Sequence, residues 1–196
     1  MYSLIIDSAT KKLYVCLLKN NDILFENLSL GAHDHAKNIV AYINEALNKA
    51  NIKVDDLSEI IVGVGPGSYT GSRLAVTVGK MFASFKDIPL YSVSTLTLMA
   101  SGNEGKILSY IDARHGNCFG SIVDTINNKI IVKDSFILLD DLKNNEYDLI
   151  VTEDDYKVNP LFVLKNKIKV ENIDLLVPNY LRDTEAERNL NDKKNQ

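Results

Sequence analysis

The chain has 196 residues, 45% hydrophobic and 24% charged, with a formal net charge of -4. That is enough for one ordinary globular domain or two small ones. The acidic balance leaves no basic footprint for a free-standing nucleic-acid binder. No apolar run reaches the ~18 residues that would cross a bilayer.

Residues 2–7 read as a strand ending at Asp7 and a small polar turn, Ser8-Ala9-Thr10. Residues 13–18 and 23–30 read as two more strands joined by the polar turn 19–22, which makes an antiparallel meander. Apolar residues at 36, 39, 40, 43, 46, 47 and 50 recur at three- and four-residue steps, predicting a helix over 34–48 with Asp34 as N-cap. Ile60, Ile61, Val62 and Val64 form a short β-branched run fit for a strand covered on both faces. A glycine-rich turn follows, then a helix to about residue 86 that is apolar over most of its circumference and is therefore expected to be buried on more than one side. Pro89 closes that helix, 90–93 is a strand, and Ser94 caps a helix over 95–100.

Gly102-Asn103-Glu104-Gly105 marks a domain boundary, and the pattern then restarts. Residues 106–112 form a strand ending in Asp112, 118–124 and 129–138 form a hairpin around Asn127-Asn128, 140–144 is a short helix and 149–152 a strand. Past Glu153 the pattern weakens. The order βββαβαβα followed by βββαβ predicts two related halves, 1–101 and 102–178, the second truncated, with a polar tail over 179–196 that packs on the first half or on a partner. Cys16 and Cys118 each fall inside a strand and read as buried reduced thiols. No basic leader is visible, so the expected compartment is the cytoplasm.

The glycine turn is the natural place for chemistry. Gly63, Gly65, Gly67 and Gly71 lie within nine residues between a strand and a helix N-terminus, a setting that supplies free N–H groups and a favourable dipole for an anion. The specific phosphate motifs are absent: Gly71 is followed by Ser72-Arg73 rather than Lys-Ser/Thr, and neither pair of glycines completes G-x-G-x-x-G. Asp7, Gly65, Gly67, Ser68 and Gly71 remain a weak candidate nucleotide or anion loop beside the alternative of a purely structural turn. Asp7 and Asp112 end equivalent strands, a position that suits metal or water binding as well as turn capping. His33-x-His35 has the wrong step for two metal ligands on one helical face, and G-x-S-x-G is absent. No catalytic or metal-ligating residue is assigned. On the second long helix Ala75, Gly79 and Ala83 stack on one face. They either pack on their own sheet or meet another subunit; the second alternative predicts that Gly79→Arg blocks pairing and spares the monomer.

IIDSAT in the first strand, VGPGSYTGSRLAVTVGKMFA in the middle, IDARHGNCFG in the second half and PNYLRDTEAE near the end resemble the TsaB (YeaZ) family, in matching order over nearly the whole chain. The resemblance implies an α/β fold of the actin-like ATPase (RNase H-like, ASKHA) type with two βββαβα lobes, the second shortened here. It implies a non-catalytic subunit for N6-threonylcarbamoylation of adenosine 37 in tRNAs reading ANN codons. Such a subunit dimerises with itself or pairs with the catalytic paralogue TsaD, recruits the ATPase TsaE, and meets tRNA only through the complex. No cofactor of its own is expected, with ADP or ATP at the complex interface. The pairing surface falls on the first two long helices, at Ala36, Ile39, Val40, Ile43, Leu74, Ala75, Val78, Gly79, Phe82 and Ala83. The alternative is a stand-alone enzyme of the same fold, an ATP-dependent phosphotransferase or a peptidase.

Overall fold

A computed structural model describes residues 1–30 and 34–182. His33 and residues 183–196, most of the expected tail, lie outside the described residues.

Three antiparallel strands open the chain: β1 (Tyr2–Asp7), β2 (Lys12–Lys19) and β3 (Asp22–Leu30). Helix α1 (His35–Lys49) leads to β4 (Glu59–Gly63), which lies parallel to β1. Helix α2 (Tyr69–Lys86) then crosses to β5 (Leu90–Val93), parallel to β4. After α3 (Thr95–Ala100) the order restarts with β6 (Lys106–Asp112), β7 (Asn117–Asp124) and β8 (Lys129–Leu138), again antiparallel. Helix α4 (Leu139–Lys143) leads to β9 (Leu149–Thr152), parallel to β6. Helix α5 (Pro160–Asn166) and β10 (Ile168–Lys169) follow.

The first sheet runs β10-β5-β4-β1-β2-β3 and the second β8-β7-β6-β9. Both contain a three-stranded meander with the next strand added parallel to its first, so among the described residues the second sheet repeats the first without the counterpart of β5. This is the actin-like, RNase H-like α/β fold with a truncated second lobe.

Side-chain alternation explains the layering. On the first sheet Leu4, Ile6, Val15, Leu17, Ile60 and Val62 face α1 and α2. Their neighbours Ile5, Tyr14, Cys16, Leu18 and Ile61 face the other way, toward α3, α5 and the second sheet's Ile107, Ile111, Val123 and Val151. A single apolar core thus joins the two sheets, and strands covered on both faces need continuous apolar runs. The far face of the second sheet is covered more thinly, with Leu108, Cys118, Ile122 and Leu142 at its centre. Both cysteines are buried and free.

Two local features differ from expectation. Asp34 occupies the N-cap position of α1, yet its side chain makes no capping bond. The division at residue 178 assigns 168–178 to the second lobe, whereas β10 pairs with β5 of the first sheet and Val170, Ile173 and Leu176 pack on the first lobe's core. The pairing is short and joins residues far apart in sequence, so no periodicity announces it. No described helix is long and apolar enough to cross a membrane.

Candidate functional site

The glycine turn packs against the turn after β1. Asp7 ends β1 fully buried; its Oδ1 accepts the Ala9 N–H at 2.9 Å and its Oδ2 accepts the Thr95 hydroxyl at 2.6 Å. Burial pushes the Asp7 carboxyl above its ordinary value, against the lowering effect of the Thr95 and Ala9 donors. Glycine is required where these turns touch. A Cβ on Gly63 would overlap the Asp7 carboxylate, and one on Gly71 would overlap the Ser8 carbonyl. Gly65 also needs its glycine, since its φ is +89°.

Much of the turn's backbone is committed within the chain. Gly65 N–H donates to Thr95 Oγ1 at 3.1 Å, and Gly65 O accepts from Thr95 N–H at 2.9 Å. Ser68 N–H donates to Ala9 O at 2.7 Å. Ser68 Oγ caps α2 by accepting from Gly71 N–H at 3.3 Å, and Gly71 O accepts from Ser8 Oγ at 2.7 Å. Of the anion-loop candidates, Asp7, Gly65, Ser68 and Gly71 therefore form one knot of mutual bonds. Thr95, which bonds both Asp7 and Gly65, is a member that sequence reasoning missed; a threonine after a helix-capping serine carries no signal for it.

A cleft of about 690 Å³ opens beside this knot, with Lys11, His35, Ser68, Thr70, Leu74 and Glu153 among its walls. Lys11 is held there by Glu153 at 3.2 Å and Asp154 at 3.1 Å, which bridges the two lobes. His35 Nε2 lies 3.1 Å from Thr10 O. Asp112, the counterpart of Asp7, is exposed at the β6–β7 turn, where its Oδ1 accepts Arg114 N–H at 2.9 Å. Asp7 and Asp112 thus sit in opposite environments. Among the described residues, no group of three or more His, Cys, Asp or Glu side chains is arranged to hold a metal ion.

The helical surface differs from the sequence expectation in one decisive way. Ala75, Gly79 and Ala83 are buried, and a Cβ on Gly79 would overlap Val62 Cγ1 on β4. The small-residue stripe lets α2 settle on its own sheet, so a Gly79→Arg chain would lose its own packing first. Ile39, Ile43 and Val78 are buried as well. Of the ten residues expected at a pairing surface, Ala36 and Val40 are exposed, and Leu74 and Phe82 are half-buried. Val40 is 47% exposed, and α2 adds Met81 at 41% and Phe85 at 81%. Leu74, Val78, Met81 and Phe85 follow an i, i+4, i+7, i+11 spacing and so share one flank of the helix. Met81 and Phe85 belong to this flank although the expected surface omitted them; the spacing was the available signal.

The sequence and fold were compared with known proteins. A profile of the family described as TsaD, tRNA N6-adenosine threonylcarbamoyltransferase, matches residues 29–164. The tRNA threonylcarbamoyladenosine biosynthesis protein TsaB of Bacillus subtilis is 34% identical over 146 residues, covering 72% of this chain and 64% of that protein. TsaB of Escherichia coli is 30% identical over 124 residues, covering 61% of this chain and 53% of that protein. The aligned part thus spans between half and two thirds of these curated relatives. An uncharacterised protein of Mycoplasma genitalium aligns nearly end to end, 26% identical over 190 residues, covering 93% of this chain and 95% of that protein. YeaZ from Pseudomonas aeruginosa superposes with a TM-score of 0.74 at 16% identity, covering 92% of this chain and 99% of that one, and so shares the fold.

Proposed function

The chain belongs to the TsaD (tRNA N6-adenosine threonylcarbamoyltransferase) family and resembles its TsaB (YeaZ) members, and from that premise we propose that it is a non-catalytic partner subunit in threonylcarbamoylation of tRNA adenosine. It acts by docking. The observation that carries the reading is the apolar flank of α2, with Met81 and Phe85 standing in solvent at 41% and 81% exposure; Val40 of α1 is 47% exposed as well. Exposed apolar residues gathered on one helix flank mark an interaction surface more than scattered ones do.

The partner is the catalytic paralogue TsaD, whose matching helix pair covers this flank; a second copy of the chain covers it when TsaD is absent. TsaE joins the pair, and tRNA is met through the complex. The cleft is lined by Ala36 of α1 and by Leu74 of this flank, so a docked partner would close it. The first turn of α2 suits the phosphates of ADP or ATP there, and Lys11 reaches them only on leaving Glu153 and Asp154. That nucleotide would bind at the boundary between subunits.

The test mixes the purified chain with its cognate TsaD. A one-to-one complex in sedimentation, together with tRNA modification that TsaD alone does not perform, is the expected result. A TsaD rate unchanged by the chain would end the proposal.

A further inference from the structure

After α5 the chain leaves the second lobe. Ile168 pairs with Ser92 and Lys169 with Tyr91, and Val170 N–H donates to Leu90 O at 2.9 Å. The hold at this point is firm. The Lys167 ammonium pairs with the buried Glu59 carboxylate, which also accepts the Ser3 hydroxyl at 2.8 Å, and lies 4.5 Å from the centre of the Tyr91 ring.

Residues 170–182 then form neither helix nor strand. Lys80 on α2 tethers them by donating to Asp174 O at 2.9 Å and Leu176 O at 3.1 Å. Leu175 and Val177 stay 75% and 65% exposed, while Val170, Ile173 and Leu176 pack on the first lobe's core.

The chain next enters the gap between the sheets. Pro178 is buried and Asn179 half-buried. Asn179 N–H donates to Val64 O at 2.7 Å, at the start of the glycine turn, while its Nδ2 reaches Asp134 Oδ2 on β8 at 3.4 Å. The Tyr180 hydroxyl accepts from Arg73 Nε at 2.7 Å, and its ring lies 5.5 Å from that of Tyr69. The Arg182 guanidinium lies 4.8 Å from the centre of the Phe136 ring on β8. Residues 178–182 therefore touch α2 on one side and the second sheet on the other. One backbone bond, a buried proline, an amide, an aromatic ring and a cation are the means by which grooves grip extended peptides.

We infer that residues 178–182 are a self-peptide seated in a groove between the two sheets, and that this latch opens while the Lys167–Glu59 clamp stays closed, freeing the groove for an extended peptide of the same kind. The gradient of contacts along the segment carries the inference. The clamp removes a carboxylate from water, so parting it strands a buried charge. Opening the latch parts no ion pair among the described residues: beside the 2.7 Å bonds to Val64 O and from Arg73 it rests on half-exposed rings and a 3.4 Å bond to Asp134, and segments with few buried contacts open locally well below the global unfolding free energy. Asp134 sets the specificity. Burial pushes its carboxyl up, and nearby donors, among them the Asn179 amide at 3.4 Å, offset this. An incoming peptide must return a donor where Asn179 stood, so an amide side chain after proline is favoured.

The test uses the full chain, with hydrogen exchange and a fluorescent peptide of sequence VPNYLR, which copies residues 177–182. In Asn179→Ala/Tyr180→Ala, the amide at position 179 is expected to exchange about tenfold faster or more, with β4 amides unchanged. The peptide should bind this variant and be excluded from the unaltered chain. Arg73→Ala loosens the latch from the body side, without altering the strap, and should give the same faster exchange at position 179 should the double variant fold poorly; Asn179→Ala alone, which keeps Arg73 in the groove, then serves for the peptide. Exchange at position 179 that occurs only together with β4 would overturn the inference. So would a freed groove that does not bind the peptide.

Discussion

Phe85→Ala separates docking from folding. Phe85 lies in the last turn of α2 with 81% of its surface in water, so the isolated chain gains little from the ring. Fully burying a phenylalanine is worth roughly 1.5–3 kcal/mol, and with four fifths of that burial still to be made on docking, the loss is about 2 kcal/mol. At about 1.4 kcal/mol per tenfold, the pairing constant should weaken roughly thirtyfold. Stability of the isolated chain should stay within about 0.5 kcal/mol, as for other exposed substitutions. Sedimentation titration against the cognate catalytic paralogue reads the first quantity, and urea unfolding of the chain alone reads the second. Gly79→Ala should give the opposite pattern. Its methyl overlaps Val62 Cγ1, and overpacking costs about 1–3 kcal/mol, of which better helix propensity returns up to about 1 kcal/mol. Unchanged pairing in Phe85→Ala, or a stability loss equal to the pairing loss, would refute the assignment of the flank.

Three further outcomes are expected. Lys167→Met strands the Glu59 carboxylate, whose side chain is 5% exposed; unfolding stability should fall by about 3 kcal/mol, with partial recovery in Glu59→Gln/Lys167→Met, both measured in urea. Gly63→Ala drives a methyl into the Asp7 carboxylate and should cost about 2 kcal/mol or more; Gly63→Ala/Asp7→Ala should cost less than the sum of its single changes, as a double-mutant cycle will show. The folded-state value of Asp7 is raised above 3.8, so its contribution is fully present below that pH and is lost as pH rises through the folded value. Asp7→Asn should remove that decline, so that the variant's stability relative to the unaltered chain increases as the pH is raised above about 4 in a series of unfolding curves.

The sequence carried much of the fold because each strand and long helix has its own local signal. The β-branched run before Gly63, the three- and four-residue steps of α1, and the strand ending in Asp at both Asp7 and Asp112 are patterns that neighbouring residues complete by themselves. The repeated order of elements then limits the sheet topology, which the two strand orders confirm. The candidate site was legible only in outline. Sequence marked Asp7 and the glycine turn as a point of close approach, but not that Thr95, on a different element, would hold both.

Two matters were decided in three dimensions. A helix apolar over most of its circumference does not declare which side meets its own sheet. Ala75, Gly79 and Ala83 turn inward because only small residues let the helix axis settle over Val62, and that leaves Met81 and Phe85 on the flank in water. Likewise residues 167–182 carry almost no periodicity of their own. Their course is set by a buried acid at Glu59, a free edge on β5 and a carbonyl at Val64, partners far away along the chain. Local spacing determines which elements form; the pairing of distant groups that would otherwise be buried without partners determines where the last segment goes.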